Sequence, residues 1–92
     1  MNKQRRKNIK EAADKMQQAH DLLSEAKEII ETARDEEEEA CENLPENLQY
    51  SERGSQMNEY ATKLDDTADN LEDWMSSIDE SIEMLDYEVI NG

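Results

Sequence analysis

The 92-residue sequence has no phenylalanine and only one proline, one cysteine, one tryptophan and two glycines. A single cysteine excludes an internal disulfide framework and a metal site built on cysteine pairs. No apolar run approaches the ~20 residues of a membrane-spanning helix, and the basic start is not followed by the apolar stretch of a signal peptide. We therefore expect one small cytoplasmic domain with no membrane association.

A sustained seven-residue repeat outweighs a composition that otherwise suggests disorder. Apolar residues are 35% of the chain, charged residues are 38%, and the net charge is −15. One column of the repeat carries large side chains with a single exception, Glu37. The column is Ile9, Met16, Leu23, Ile30, Glu37 and Leu44. An unpaired carboxylate in a seam is costly, so we expect Glu37 to pair with Arg34, to pair with Arg53, or to lie where the seam is open locally. Spacings that alternate three and four residues predict a helical seam.

Alanine occupies the position three residues after each of the first five members of that column. These residues are Ala12, Ala19, Ala26, Ala33 and Ala40. A column of methyl groups lets a neighbouring helix approach at or below the usual 8–10 Å between axes. We therefore predict that the alanine column forms half of the seam of a tight helical pair.

The second half of the chain carries an equally regular seam. Its first column is Met57, Leu64, Leu71, Ile78 and Leu85, and its second is Ala61, Ala68, Met75, Ile82 and Val89. The spacing predicts helix 1 over about 4–43 and helix 2 over about 55–90, capped by Ser51 or Ser55. Between them lies a connection over 44–54, with a short turn over 45–49 introduced by Pro45.

Two helices of matched length predict an all-α fold, a long antiparallel hairpin. A pair this thin buries little surface per residue, so a partner is expected. Leu22 and Ile29 widen the apolar stripe of helix 1, which suits a bundle of more than two helices. We therefore expect a homodimer in the form of a four-helix bundle.

Five of the ten basic residues lie within residues 1–10, and all 25 acidic residues follow. This basic arm comprises Lys3, Arg5, Arg6, Lys7 and Lys10. Nucleic-acid or membrane contact is one interpretation. The favoured one is internal, because an antiparallel hairpin places the arm beside the acidic end of helix 2. That end carries Asp79, Glu80, Glu83, Asp86 and Glu88.

No constellation of residues typical of an enzyme is found. His20 lacks the preceding glutamate of a di-iron site, and we interpret it as a half-exposed seam residue. Asp65, Asp66 and Asp69 lack the glycine and terminal glutamate of a calcium loop. Cys41 has acidic neighbours, which do not activate a thiol. We expect no catalysis, no metal and no cofactor.

Acidity points instead to protein partners. A chain at −15 repels phosphate, so direct nucleic-acid binding is disfavoured. A rigid rod with rows of carboxylates could occupy the basic nucleic-acid channel of another protein. The alternative is a structural or assembly module whose acidity only keeps it soluble. The residues predicted to contact a partner are Asp35, Glu36, Glu37, Glu38, Glu39, Asp65, Asp66, Asp69, Glu72, Asp73 and Trp74.

The stretch from Asp35 to Met57, DEEEEACENLPENLQYSERGSQM, resembles a motif of small acidic helical accessory proteins from phages and prophages of Gram-positive bacteria. In these proteins an acidic run leads into an N-L-P-E-x-L-Q turn and then S-E-R-G. Cys41 stands where the relatives often carry an aromatic residue. The resemblance implies a mobile-element origin and action in a host cytoplasm. It makes interference with a host defence protein plausible, and it assigns no site residues.

Overall fold

In the computed structural model, which describes residues 2–92, the chain forms a long antiparallel helical hairpin. Helix α1 spans Lys3–Glu42, the short helix α2 spans Glu46–Gln49, and helix α3 spans Glu52–Met84. A π-helical turn, Leu85–Ile90, continues α3. The radius of gyration is 20.3 Å, against about 12 Å for a compact chain of this length. The all-α prediction is confirmed.

Side-chain caps fix where the two long helices begin. Asn2 Oδ1 accepts a hydrogen bond from the Arg5 amide at 2.8 Å and starts α1. Ser51 Oγ accepts one from the Gly54 amide at 3.4 Å. Helix α3 therefore begins at Glu52, earlier than the predicted residue 55, because Ser51 rather than Ser55 provides the cap.

The connection between the long helices is compact because its polar groups find partners within it. Gln49 Nε2 donates to the Glu42 and Leu44 carbonyls at 3.2 and 3.1 Å, which satisfies acceptors that α1 leaves free at its end. Gly54 is buried where α2 crosses the start of α3. A Cβ atom there would lie 2.7 Å from the Leu48 carbonyl oxygen, so only glycine fits this approach.

The predicted seam of α3 is the face that packs on α1. Ala61, Ala68 and Leu71 are buried, and the remaining members of both columns are half-buried. No large side chain is fully buried in residues 2–92. Two helices alone thus leave much of their shared apolar surface within reach of water.

The predicted seam of α1 is half right. Its large-residue column, including Leu23 and Ile30, is half-buried against α3. The alanine column is not the second half, and that prediction is wrong for the hairpin. Ala12, Ala19 and Ala40 are exposed, while Ala26 and Ala33 are half-buried. The second column instead lies four residues after the large one, and comprises Ala13, His20, Lys27, Arg34 and Cys41.

Candidate interaction surfaces

The hairpin has two faces, which follow from the 100° that each residue turns around a helix. On α1, the column four residues after the large column turns +40° from it, and the alanine column turns −60°. The two columns therefore lie on opposite sides of the seam. On α3, acidic residues lie one position after members of the large column, which is a rotation of +100° around the helix axis. Tyr60 and Trp74 lie three positions after a member of that column, which is a rotation of −60°.

A ladder of polar contacts runs along the first of these faces, which we call the ladder face. Arg34 Nη1 contacts Asp65 Oδ1 at 2.6 Å, and Lys27 Nζ contacts Glu72 Oε2 at 2.9 Å. The other two rungs join His20 Nε2 to Asp79 at 3.3 Å and Cys41 Sγ to Asn58 at 3.5 Å. In every rung the two residue numbers sum to 99, which defines the register of the hairpin.

The two central rungs stabilise the charged state of their cations. The hydrogen bond from Lys27 to Glu72 raises the pKa of the ammonium above its ordinary 10.5. Hydrogen bonds to Asp65 and then Asp35 likewise raise the pKa of the Arg34 guanidinium. A raised folded pKa means that stabilisation by the Lys27 pair is complete below pH 10.5, and it is lost as the pH rises through the folded value.

The ladder register predicts the outcome of a charge reversal. Lys27→Glu places two carboxylates at the second rung, so the thermal unfolding midpoint should fall by a few degrees. The double variant Lys27→Glu with Glu72→Lys should regain most of that loss. Circular dichroism melts at low ionic strength measure both. Equal melting of the single and double variants would mean that this rung does not set the register.

The opposite face, which we call the apolar face, carries the alanine column of α1. This column lies across the seam from the ladder, and so does the column of α3 that carries Tyr60 and Trp74. The two columns therefore share one side of the hairpin. Leu22 and Ile29 extend the face and are 65% and 69% exposed, and Trp74 is 54% exposed. Exposed side chains this large, grouped on one face, are typical of an interaction surface.

Carboxylates form two further columns with the same seven-residue period, about 10.5 Å per step. On α3 the column points directly away from the seam, and it is Glu52, Glu59, Asp66, Asp73 and Glu80. On α1 it lies beyond the ladder, and it is Asp14, Asp21, Glu28, Asp35 and Glu42. All ten side chains are exposed. The seven-residue period of these acidic columns is a signal in the sequence that could have identified them, but the predicted partner-contacting residues include only Asp35, Asp66 and Asp73 of the ten.

The structure divides the predicted partner-contacting residues into groups rather than bringing them together. Asp35, Asp65 and Glu72 are already paired with Arg34 or Lys27. Within residues 2–92, the other acids of this set have no cation within 4.0 Å. Asp66 and Asp73 belong to the outward column of α3, whereas Trp74 lies on the apolar face. The unpaired acids are Glu36, Glu37, Glu38, Glu39, Asp66, Asp69 and Asp73.

Glu37 occupies a half-buried seam position without a cation. Arg34, one expected partner, is held by Glu31, Asp35 and Asp65 instead. Arg53, the other, is exposed and forms no ion pair in the described part of the chain. The seam is therefore open to water around Glu37, which was the third possibility.

The basic arm lies beside the end of the π-helical turn, where Lys3, Arg6, Lys7 and Lys10 surround Ile90. Its position is the one expected of the internal interpretation. Its charges are not neutralised there, because no cation of the arm comes within 4.0 Å of a carboxylate in residues 2–92. The arm therefore remains available to a partner.

Within residues 2–92, no group of three potential ligands is placed to hold a metal ion, and no helix combines the length and apolar character needed to cross a membrane. Cys41 is buried with its thiol directed at Gly54 O and Asn58 Oδ1. No protein-family model matches the sequence, and no significant match is found among curated proteins or solved structures.

Proposed function

We propose that this protein is a non-enzymatic interaction module that presents its acidic columns to the basic, nucleic-acid-binding site of another protein. The observation that carries the proposal is the outward column of α3. Its five exposed carboxylates recur every two turns along one continuous helix, Glu52–Met84. Among residues 2–92, only Glu59 of this column has a cation within ion-pair distance, Lys63 at 3.0 Å. Such a row resembles one strand of phosphates in sign and in its regular repeat, although its step of ~10.5 Å is about three times the ~3.4 Å between phosphates along one strand.

The charge per unit length of the hairpin supports association with a basic site, but it is lower than that of DNA. A net charge of −15 along a 69 Å rod is about one charge per 4.6 Å. Duplex DNA carries one charge per ~1.7 Å. The single hairpin is thus a weaker polyanion than DNA. It would compete for a basic channel through its fixed shape and through rapid, salt-sensitive association.

The sequence resemblance adds a biological setting to the proposal. A phage-encoded inhibitor of a host defence or nucleic-acid-handling protein needs to act at once and without catalysis. A small rigid acidic rod meets both needs, because long-range attraction speeds encounter. The proposed partner is therefore a basic host protein, and the proposed location is the host cytoplasm.

Capture from a bacterial lysate tests the proposal. The immobilised chain should retain basic nucleic-acid-binding proteins at low salt and release them at high salt. A short DNA duplex added at low salt should release the same proteins, because both compete for one site. Retention of no basic protein at low salt would sink the proposal.

Variants of equal charge separate a specific surface from bulk acidity. Asp66→Asn, Asp73→Asn and Glu80→Gln together remove three charges from the outward column of α3. Glu11→Gln, Glu25→Gln and Glu46→Gln remove three elsewhere. We expect the first set to weaken binding of a captured partner about tenfold more than the second. Equal weakening would indicate charge alone.

The apolar face favours a second function, a structural or assembly module. In that case neutralising Glu36 to Glu39 as glutamines should leave function intact, whereas Ala26→Leu or Ala33→Leu should damage assembly.

A further inference from the structure

The apolar face, with Leu22, Ile29 and Trp74 exposed, is left uncovered by the fold of the hairpin. We propose that a second copy of the chain covers it, with α1 lying antiparallel on the partner's α1 about a two-fold axis at Ala26. The proposal concerns assembly and does not depend on the proposed function. Four lines of argument support a second copy as the occupant.

The first is the internal symmetry of α1. The alanine column reads the same in both directions about Ala26, so a two-fold axis there sets Ala19 on the partner's Ala33 and Ala12 on the partner's Ala40. A two-fold interface requires this self-complementarity. Methyl groups on both helices allow the axes to approach at about 8 Å, the lower end of the usual range.

The second line is the match between the large residues beside that column. The same axis brings Leu22 to the partner's Ile29 and Ile29 to the partner's Leu22. These are the two most exposed aliphatic side chains of the face, at 65% and 69%. Their mutual burial removes apolar surface from water on both copies. One heptad farther out, Lys15 meets the partner's Glu36.

Charge complementarity is the third line, and it accounts for a feature that is unfavourable in the isolated hairpin. Helix α1 has no acidic residue in its first turn and no basic residue in its last turn. Its basic arm and its terminal glutamates therefore both oppose the helix dipole. Antiparallel pairing of two α1 helices about Ala26 sets each basic arm level with the partner's residues 42–49, which brings the partner's Glu42 beside Lys10 and the partner's Glu46 beside Arg6.

The fourth line comes from the register of the hairpin. Residue numbers that sum to 99 place Ala26 level with Asp73, beside Trp74. The axis that passes Ala26 of both copies therefore brings Trp74 close to the partner's Trp74. A tryptophan that is 54% exposed in the hairpin becomes covered at the centre of a four-helix bundle.

The competing arrangement sets α1 on the partner's α3 instead. The same register then places Leu22 against the partner's Ser77 and Ile29 against the partner's Asn70. Large aliphatic side chains would face polar ones at both positions. The antiparallel α1 arrangement joins apolar to apolar, which favours it.

Disulfide trapping distinguishes these arrangements. In a Cys41→Ala background, a cysteine at position 26 lies on the two-fold axis and should link two copies rapidly under mild oxidation. Cysteines introduced singly at positions 19 or 33 should link poorly, but a mixture of the two variants should link well. Asp21→Cys, on the ladder side of α1, is the control. Linkage of A26C no faster than D21C would overturn the proposal.

Solution measurements test the dimer without engineered cysteines. Sedimentation equilibrium should give a dimer with a Kd of about 10 µM or below, and the single tryptophan should shift its emission to the red on dilution. Leu22→Asp should be a monomer that keeps its helical circular dichroism, because Leu22 lies outside the hairpin seam. A wild-type chain that stays monomeric at ten times that concentration would also overturn the proposal.

Discussion

Replacing Ala68 with leucine should cost the hairpin about 1–3 kcal/mol of unfolding free energy. Ala68 is 2% exposed in the seam of α3, so three added carbon atoms have no space without separating the helices. A chain of this size sits near the lower end of the 5–15 kcal/mol typical of folded domains. The loss is therefore a large part of its stability, and urea unfolding followed by circular dichroism measures it.

Ala19→Leu is the matched change in the other alanine column. Ala19 is exposed, so the hairpin should keep its helicity and, at concentrations below dimerisation, its urea midpoint. Assembly should fail, because the added side chain separates the two α1 helices. Equal destabilisation of the hairpin by Ala19→Leu and Ala68→Leu would contradict the seam described for α1.

The contrast between these two alanines shows what the sequence could and could not decide. Two columns of the seven-residue repeat sufficed to predict the seam of α3, because no other column of that helix is apolar throughout. The column of Tyr60 and Trp74 also holds Thr67 and Ser81. Helix α1 offers two choices beside its large column, at three and at four residues. Apolarity favours the alanines, yet the hairpin uses the column that carries His20, Lys27 and Arg34.

The physical reason lies on the opposite helix. Asp65 and Glu72 stand beside the seam of α3, and the long side chains of Arg34 and Lys27 reach them. Their aliphatic stems cover the seam while their charged ends form the rungs. This choice depends on the register of one helix against the other. The length of the connection sets that register, and the sequence pattern of α1 alone does not contain it.

The acidic surface could be predicted in amount but not in arrangement. The net charge is evident from the sequence, as is the seven-residue period of Asp66 and Asp73. Which carboxylates remain unpaired is a property of the register, since the rungs neutralise Asp65 and Glu72. Trp74 directly follows Asp73 in the sequence, but it lies on the apolar face because each residue adds a rotation of 100° around the helix.

Gly54→Ala should reverse the usual sign of a glycine-to-alanine change in a helix. At an unconstrained helical position alanine is more favourable by up to about 1 kcal/mol. At Gly54 the new methyl group would meet the backbone carbonyls of Leu48 and Gln49, which cannot yield as a flexible side chain could. Helix α2 must then shift, and with it the cap of α3 and the Gln49 bonds that close α1.

We expect that shift to cost about 1–3 kcal/mol, as for other overpacked sites. Ser55→Ala, at the next and exposed position, is the control and should change stability by less than about 0.5 kcal/mol. Because the connection sets the register, Gly54→Ala should also weaken the coupling between Lys27 and Glu72 in a double-mutant cycle. An unchanged or raised urea midpoint for Gly54→Ala would show that α2 does not press on α3.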